Sequence, residues 1–154
     1  AFKWNVGYCA DAKYIYRKRD NGTSTLDTAW QHPGRYDHQL RLGSLGLIEK
    51  SIALLGNVPK FIQRVAMYDI AWHINKIIRF DSDIRSLSQS QLDNYKFLMR
   101  QIFSHIEQDT LMNFELAGMW FFQKLGLAAK YKGYIPNFNI SYMVVSFNNL
   151  YNNL

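Results

Sequence analysis

The sequence predicts a mainly α-helical domain, a bundle of four or five helices with short β-strands at the N-terminus and the C-terminus. Two observations lead to this prediction. Apolar side chains recur every three to four residues over most of residues 34–131, which is the period of an amphipathic helix. The two end segments instead alternate between apolar and polar residues, which is typical of strands. We therefore expect the helical domain to occupy residues 31–132.

The composition is that of a folded chain with a basic surface. Of 154 residues, 48% are hydrophobic and 16% aromatic, which is enough for one domain with its own core. The net charge of +6 favours anionic partners such as phosphates, lipid headgroups or nucleic acid, without choosing among them. The single cysteine, Cys9, excludes an internal disulfide and favours a reducing compartment. No signal peptide or membrane-length apolar stretch is visible, so we expect a cytoplasmic location.

Residues 4–19 are predicted to form one or two short strands that end at an Asp-Asn-Gly turn. Arg17 and Arg19 project to one side of such a strand, and a guanidinium group fits phosphate oxygens with two hydrogen bonds. The hydroxyl groups of residues 23–25, Ser24 among them, would add donors. A solvated basic edge strand explains the same residues equally well, so both interpretations stand on the spacing alone.

Four helical segments follow. The first spans about 34–55, and Gly43 and Gly46 are compatible with two shorter pieces. The second runs from Pro59 to about residue 80. The third follows a break at 81–83 and begins at a capping box formed by Ser90 and Asp93. The last, about 111–131, is apolar on nearly every side, so we expect it to be central or to face a partner. The predicted inward positions are Tyr36, Leu40, Leu47, Ile48, Leu55, Phe61, Ile62, Val65, Ala66, Ile70, Ile74, Ile77, Ile78, Leu92, Tyr95, Met99, Ile102, Phe103 and Ile106.

The C-terminal segment, residues 133–154, contains no charged residue, and residues 140–147 alternate like a strand. An uncharged edge strand promotes aggregation unless another element covers it. We therefore expect a short β or irregular tail that leads into a missing downstream region, with the rest of the protein supplying the cover.

Two small clusters are candidates for chemistry. Asp81-Ser82-Asp83 matches the DxD pattern with which many sugar transferases hold Mg²⁺ or Mn²⁺, but it lies between two helices rather than after a strand, which favours a structural role. Asp69 and His73 are four residues apart on one helix, and the neighbouring apolar residues favour a half-buried pair joined by an internal hydrogen bond. No nucleophile elbow, P-loop or dinucleotide motif is present, so we predict no catalytic residue and no metal site in this chain.

The run Tyr14-Ile-Tyr-Arg-Lys-Arg-Asp-Asn-Gly-Thr-Ser-Thr-Leu-Asp-Thr-Ala-Trp30 resembles a stretch of bacterial family 2 glycosyltransferases that build surface polysaccharides, including capsular and teichoic-acid-type products. In those enzymes it follows the catalytic aspartate and closes the nucleotide-sugar domain. Val58-Pro-Lys-Phe-Ile-Gln63 and Tyr68-Asp-Ile-Ala-Trp72 are also similar to elements of that family. The resemblance covers most of residues 5–80.

This resemblance implies that residues 1–30 are the end of a GT-A nucleotide-sugar domain and that the chain is the C-terminal helical region of the transferase. Arg17, Arg19 and Ser24 would then lie near the phosphates of the nucleotide-sugar donor or of the acceptor. The Mg²⁺ or Mn²⁺ and the catalytic base would belong to the missing upstream domain, so the fragment alone would be inactive. The helical region would bind the growing polymer, self-associate or dock on the inner face of the membrane.

Two other functions compete with this one. The apolar helix 111–131 and the uncharged tail are compatible with a helical oligomerisation or interaction module without a catalytic role. The basic composition is compatible with a nucleic-acid-binding domain, but the Lys and Arg residues are scattered along the helices instead of lining one face, so we rank nucleic-acid binding third.

Overall fold

The computed structural model describes residues 9–13, 15, 28–79 and 82–134, and its regular structure is helical throughout these residues. The elements in chain order are 3₁₀ turns at Ala29–Gln31 and Pro33–Arg35, a π-helical segment at Gln39–Leu45, and helices α1 (Gly46–Leu55), α2 (Lys60–Arg79), α3 (Ser82–Arg85), α4 (Gln89–Ser104), α5 (Gln108–Met112) and α6 (Phe121–Lys132). The predicted mainly α fold is confirmed for this part of the chain. None of these helices is long and apolar enough to cross a membrane.

The predicted terminal strands fall mostly on residues outside this description. Residues 140–147 lie wholly outside it. Within the predicted N-terminal strand, residues 9–13 contain a turn instead, closed by the Ala12 amide, which donates to the Cys9 carbonyl at 3.3 Å. The strands therefore find no support in the described residues.

The first predicted helix divides into the π-helical segment and α1, which join at Gly46. The Gly46 amide donates to the Arg41 carbonyl five residues earlier, which is the hydrogen bond of a π-helix. A Cβ at Gly46 would lie 3.2 Å from that carbonyl oxygen, so glycine permits the close turn. Helix α1 ends at Gly56, whose φ of +73° favours glycine. Leu55, its last residue, is 45% exposed, so the prediction that it faces the core is wrong.

Helix α2 corresponds to the second predicted helix and packs against α1, the π-helical segment and α5. Its inner side buries residues at the predicted spacing; the fully buried ones include Met67, Ile70 and Ile74. The opposite side carries a row of half-exposed apolar residues, here named the α2 stripe: Phe61, Val65, Tyr68 and Trp72. The predictions that Phe61, Val65 and Ile78 face the core are wrong, because the described elements cover only one side of the helix.

Gln63 ties the start of α2 to α5. Its side chain is 1% exposed, and its amide nitrogen donates to the Val58 carbonyl at 2.9 Å and to Glu107 Oε1 at 3.0 Å. Its amide oxygen accepts from the Glu107 backbone N–H at 2.8 Å. A buried amide that satisfies three hydrogen bonds in this way fixes the relative position of the two helices.

Helix α4 begins with a capping box, but at Ser88 and Gln91 rather than at the predicted Ser90 and Asp93. The Ser88 hydroxyl accepts from the Gln91 amide at 3.3 Å, and Gln91 Oε1 accepts from the Ser88 amide at 2.8 Å. Ser88 has the extended backbone that an N-cap requires, whereas Ser90 is already inside the helix. The predicted inner stripe of α4 is confirmed at Tyr95, Met99, Ile102 and Phe103, which are buried.

Residues 111–131 do not form one helix. Helix α5 ends at Met112, and α6 begins at Phe121 after a loop that turns at Ala117 and Gly118, both with positive φ. The Asn75 side chain donates to the Ala117 carbonyl at 2.7 Å and holds this turn against α2. Placed on one continuous helix, residues 111–131 show apolar side chains on every side. The reason is that they belong to two helices and a loop, so they do not share one buried face. The prediction of a central helix over 111–131 is therefore wrong.

Candidate functional site

The predicted site residues Arg17, Arg19 and Ser24 lie outside the described residues, so their contribution stays a prediction. The nearby Lys13 and Ile15 are exposed. The chain is described again from Thr28, four residues after Ser24.

The Asp81-Ser82-Asp83 cluster lies at the join between α2 and α4. Asp81 is outside the described ranges, and Ser82 opens the short helix α3. The cluster thus does not follow a strand, as the sequence predicted. In the described part of the chain, no three His, Cys, Asp or Glu side chains come together as metal ligands would.

His73 is enclosed by aromatic rings. The Trp30, Tyr36 and Tyr95 ring centroids lie 5.0, 5.8 and 5.9 Å from that of His73, the first two edge-on and the third stacked. The Arg35 guanidinium lies 4.3 Å from the centroid of Trp30, on the outside of the cluster. Three separate parts of the chain therefore meet at His73, and the cluster fixes the 3₁₀ turns against α2 and α4.

His73 is buried as a neutral side chain. It is 0% exposed, and neither ring nitrogen has a hydrogen-bond partner among the residues described here. Burial, followed by the charge of Arg35, lowers the pKa of His73 to about 3. The predicted hydrogen bond between Asp69 and His73 is absent, because Asp69 bonds to the π-helical segment instead. His73 therefore acts as an uncharged part of the core.

Asp69 anchors the π-helical segment to α2. One carboxylate oxygen accepts from the Gln39 side-chain amide at 2.6 Å, and the other accepts from the Ser44 hydroxyl at 2.8 Å. Gln39 in turn accepts a hydrogen bond from the Arg35 guanidinium group. Hydrogen bonds to a carboxylate are stronger than those between neutral groups. The network therefore orients residues 35–44 on α2 and places Arg35 over Trp30.

Two open clefts border this network and share Gln39. The first begins at Thr28 and runs past His32 and Arg35; the second runs from Gln39 past Ser44 to Asp69. Together they form a surface that starts where residues 16–27 join the helical body. The clefts combine a carboxylate, amides and a hydroxyl that already bond to one another. In the described residues, the carboxylate of Asp69 uses both of its oxygens to hold Gln39 and Ser44, so the arrangement joins the π-helical segment to α2.

Sequence reasoning identified part of this site. It placed Asp69 and His73 on one face of α2 and Tyr36 and Tyr95 in the core. It missed Trp30 and the bond from Asp69 to Gln39, because these contacts join residues 30 or more positions apart. The four-residue spacing of Arg35 and Gln39, which the sequence analysis did not use, is a local signal for one hydrogen bond of this network.

Several cations in the described ranges are engaged within the chain. Lys60 pairs with Asp109 at 2.8 Å, and this hydrogen bond raises the pKa of Lys60 and lowers that of Asp109. The ammonium group of Lys124 donates to the Met112 carbonyl at 2.8 Å. Arg41 pairs with Asp37 at 3.2 Å. These residues are therefore not arranged as a basic face for a polyanion.

The chain is similar to the minor teichoic acid biosynthesis protein GgaB of Bacillus subtilis (strain 168), with 28% identity over 110 residues. The match covers 71% of this chain and 12% of that protein, so the chain corresponds to a small part of it. The matched length exceeds residues 5–80, over which the sequence resembles family 2 glycosyltransferases. No family model and no solved structure matches the chain. The similarity to this teichoic acid biosynthesis protein is therefore distant and confined to a small region of it.

Proposed function

We propose that the chain is the C-terminal helical region of a glycosyltransferase that transfers a sugar from a nucleotide-sugar donor to a surface polysaccharide or a related polymer. The observation that supports this proposal is the 110-residue match to a protein named for teichoic acid biosynthesis. It agrees with the family resemblance of residues 14–30, which includes transferases with teichoic-acid-type products. The donor and the polymer are then partners of the whole enzyme.

In this proposal Arg17, Arg19 and Ser24 contact phosphate groups, either of the donor diphosphate or of a phosphate-bearing acceptor. Fixed guanidinium groups would stabilise the charge that develops on the leaving nucleotide. In the same proposal the helical body positions these residues; the aromatic cluster at His73 and the Asp69 network belong to the part of that body that follows Thr28. The metal, Mg²⁺ or Mn²⁺, and the catalytic base belong to an upstream domain, so this chain alone is inactive. A cytoplasmic location at the inner face of the membrane belongs to the same proposal.

The two competing functions receive less support from the described residues. The oligomerisation module was proposed from an apolar helix over 111–131 and from the uncharged tail. The first of these is instead two helices joined by a turn, and the tail lies outside the described residues. A nucleic-acid-binding domain requires free cations along one face, whereas Lys60, Arg41 and Lys124 are engaged in contacts within the chain.

The test uses the whole natural protein that contains this region. Arg17→Ala and Arg19→Ala are compared with Lys18→Ala, which removes the same charge from the intervening position on the opposite side of the predicted strand. Transfer of radiolabelled sugar from a panel of UDP- and GDP-sugars into polymer is measured. We expect each arginine variant to lose activity by roughly tenfold or more, because a charge-assisted contact to phosphate is lost, and Lys18→Ala to keep it within about twofold.

The outcomes separate the two parts of the proposal. Absence of transfer from every donor by the unmodified protein would refute the transferase function. Transfer by the unmodified protein that Arg17→Ala and Arg19→Ala leave unchanged would refute the phosphate contacts alone.

A further inference from the structure

We propose that the cleft lined by His32, Arg35 and His38 binds the phosphate group of a phosphate-bearing ligand. These residues are different from those that contact phosphate under the proposed function, and the binding does not depend on that function. Three features of the described residues support the site: the donors that line the cleft, a guanidinium group held from two sides, and a glycine between two imidazole rings.

The cleft offers hydrogen-bond donors without a carboxylate beside them. It is open to solvent and has a volume of about 650 Å³. His32, Arg35 and His38 each carry at least one N–H group, and none of the described residues that line the cleft is Asp or Glu. Asp37, which lies between Arg35 and His38 in the sequence, pairs with Arg41 at 3.2 Å. The lining therefore favours an anionic oxygen as the ligand atom.

Arg35 is oriented before any ligand binds. Its guanidinium carbon lies 4.3 Å from the centroid of the Trp30 ring, and its Nη1 donates to Gln39 Oε1. Gln39 donates in turn to Asp69 at 2.6 Å, so a neutral amide separates the guanidinium group from this carboxylate. Arg35 thus keeps its positive charge while its side chain is held in place. A charged donor that is already oriented loses little conformational entropy when an anion binds.

Gly34 keeps the space between the two imidazole rings open. A Cβ at this position would lie 3.0 Å from His32 Nδ1 and 3.7 Å from His38 Nδ1, so both rings border the same small volume. The Gly34 backbone N–H donates to His32 Nδ1 at 3.1 Å. The proton of the neutral His32 ring is therefore on Nε2, which makes this nitrogen a donor. A larger residue at position 34 would displace the His32 ring from this arrangement.

Phosphate is the anion that can use all three side chains. Its oxygens point in tetrahedral directions, so it can accept from one guanidinium group and from two imidazole groups at the same time. A carboxylate has two oxygens in one plane, which a single arginine already matches. His32 and His38 are exposed and Arg35 is half-buried, so a ligand in solvent can reach them.

Titration of the full chain with inorganic phosphate tests the site without an activity assay. Histidine ring signals are followed by NMR at constant pH, with sodium chloride at the same ionic strength as the reference. The chain has four histidines, which provide an internal comparison. The signals of His32 and His38 should shift and saturate at millimolar phosphate. Those of His73, which is buried, and of His105, at the end of α4, should stay unchanged.

Variants identify the residues that bind. Arg35→Gln should weaken phosphate binding at least about tenfold because a charge-assisted contact is lost, and His38→Ala or Gly34→Ala should weaken it about fivefold. Arg64→Gln and His105→Gln are the matched controls, since neither residue lines the cleft, and both should stay within about twofold of the wild type. Circular dichroism checks the fold of each variant. His38 is exposed, so its variant remains informative if Arg35→Gln alters the fold.

UDP and methyl phosphate distinguish the sources of the phosphate group. Binding of UDP at least tenfold tighter than inorganic phosphate would assign the group to a nucleotide, and similar affinities for all three would assign it to a lone phosphate group. Either result supports the site. The absence of saturable shifts with all three ligands, or equal shifts with chloride, would overturn it. Binding that Arg35→Gln and His38→Ala leave within twofold of the wild type would place the phosphate elsewhere and overturn it as well.

Discussion

Replacing His73 with phenylalanine should remove a specific part of the acid sensitivity of the fold. The folded chain holds the imidazole neutral with a pKa of about 3, whereas the unfolded chain takes up its proton near the ordinary value of 6.5. The folded pKa is depressed, so the unfolded state binds more protons between these values, and stability falls as the pH falls through this window. One proton corresponds to about 1.4 kcal/mol per pH unit. Between about pH 7.5 and pH 4.5 the free energy of unfolding should therefore fall by about 2.5 kcal/mol through His73 alone.

The measurement is urea denaturation of the wild type and His73→Phe at several pH values, read by circular dichroism. Near pH 7.5 the free energy of unfolding of the variant should be within about 1.5 kcal/mol of the wild-type value. The reason is that an apolar ring replaces a buried polar ring whose nitrogens have no partner in the described residues. Towards pH 4.5 the free energy of unfolding of His73→Phe should rise relative to that of the wild type. His38→Gln, which changes an exposed histidine, is the control and should follow the wild type. Parallel pH curves for His73→Phe and the wild type would refute the assignment of a buried neutral imidazole.

Three further predictions concern the helices. Ser88→Ala should cost about 1 kcal/mol of unfolding free energy and Ser90→Ala less than about 0.5, because Ser88 is the N-cap of α4; equal losses would contradict this. Gly56→Ala should destabilise by about 1 kcal/mol at its positive φ. Gly43→Ala, whose Cβ would make only an ordinary contact with the Gln39 side chain at 4.0 Å, should be neutral or stabilising by up to about 1 kcal/mol in the same denaturation assay. Gln63→Ala should cost about 2–3 kcal/mol, since three buried hydrogen bonds are lost, and a loss below about 1 kcal/mol would show that water replaces the amide.

The sequence predicted the helices whose apolar period is regular and whose ends carry strong signals. Helix α2 follows Pro59, and the buried side of α4 repeats without interruption, so both were found within a few residues. The cap of α4 was misplaced because two serines, Ser88 and Ser90, are each followed three residues later by a side chain with an acceptor oxygen, and only Ser88 with Gln91 forms the capping box. The local sequence pattern alone does not show which of two neighbouring serines is the N-cap.

The loop at 113–120 and the support around Asp69 could not be predicted, for a different reason. At Ala117 the turn uses a positive φ in a residue that favours helices, and a hydrogen bond from distant Asn75 stabilises it. Asp69 likewise bonds to Gln39 and Ser44 instead of His73, four residues away. In both cases the local sequence is compatible with more than one structure, and a contact with a residue distant in the chain determines which one forms. Such a contact cannot be predicted from the pattern of a single sequence.

The Asp69 network provides the last prediction, because two side-chain hydrogen bonds join the π-helical segment to α2 through this carboxylate. If the carboxylate holds residues 39–45 on α2, Asp69→Ala should raise amide hydrogen exchange in that segment by roughly tenfold, which corresponds to the loss of about 1.4 kcal/mol of local stability. Asp93→Ala is the matched control, since Asp93 is exposed and accepts from Gln89 within its own helix. Exchange in the buried part of α4 should stay unchanged in both variants. Exchange that rises evenly over the whole chain in Asp69→Ala would show that Asp69 supports the fold as a whole. That result would refute a local role of Asp69 at the π-helical segment.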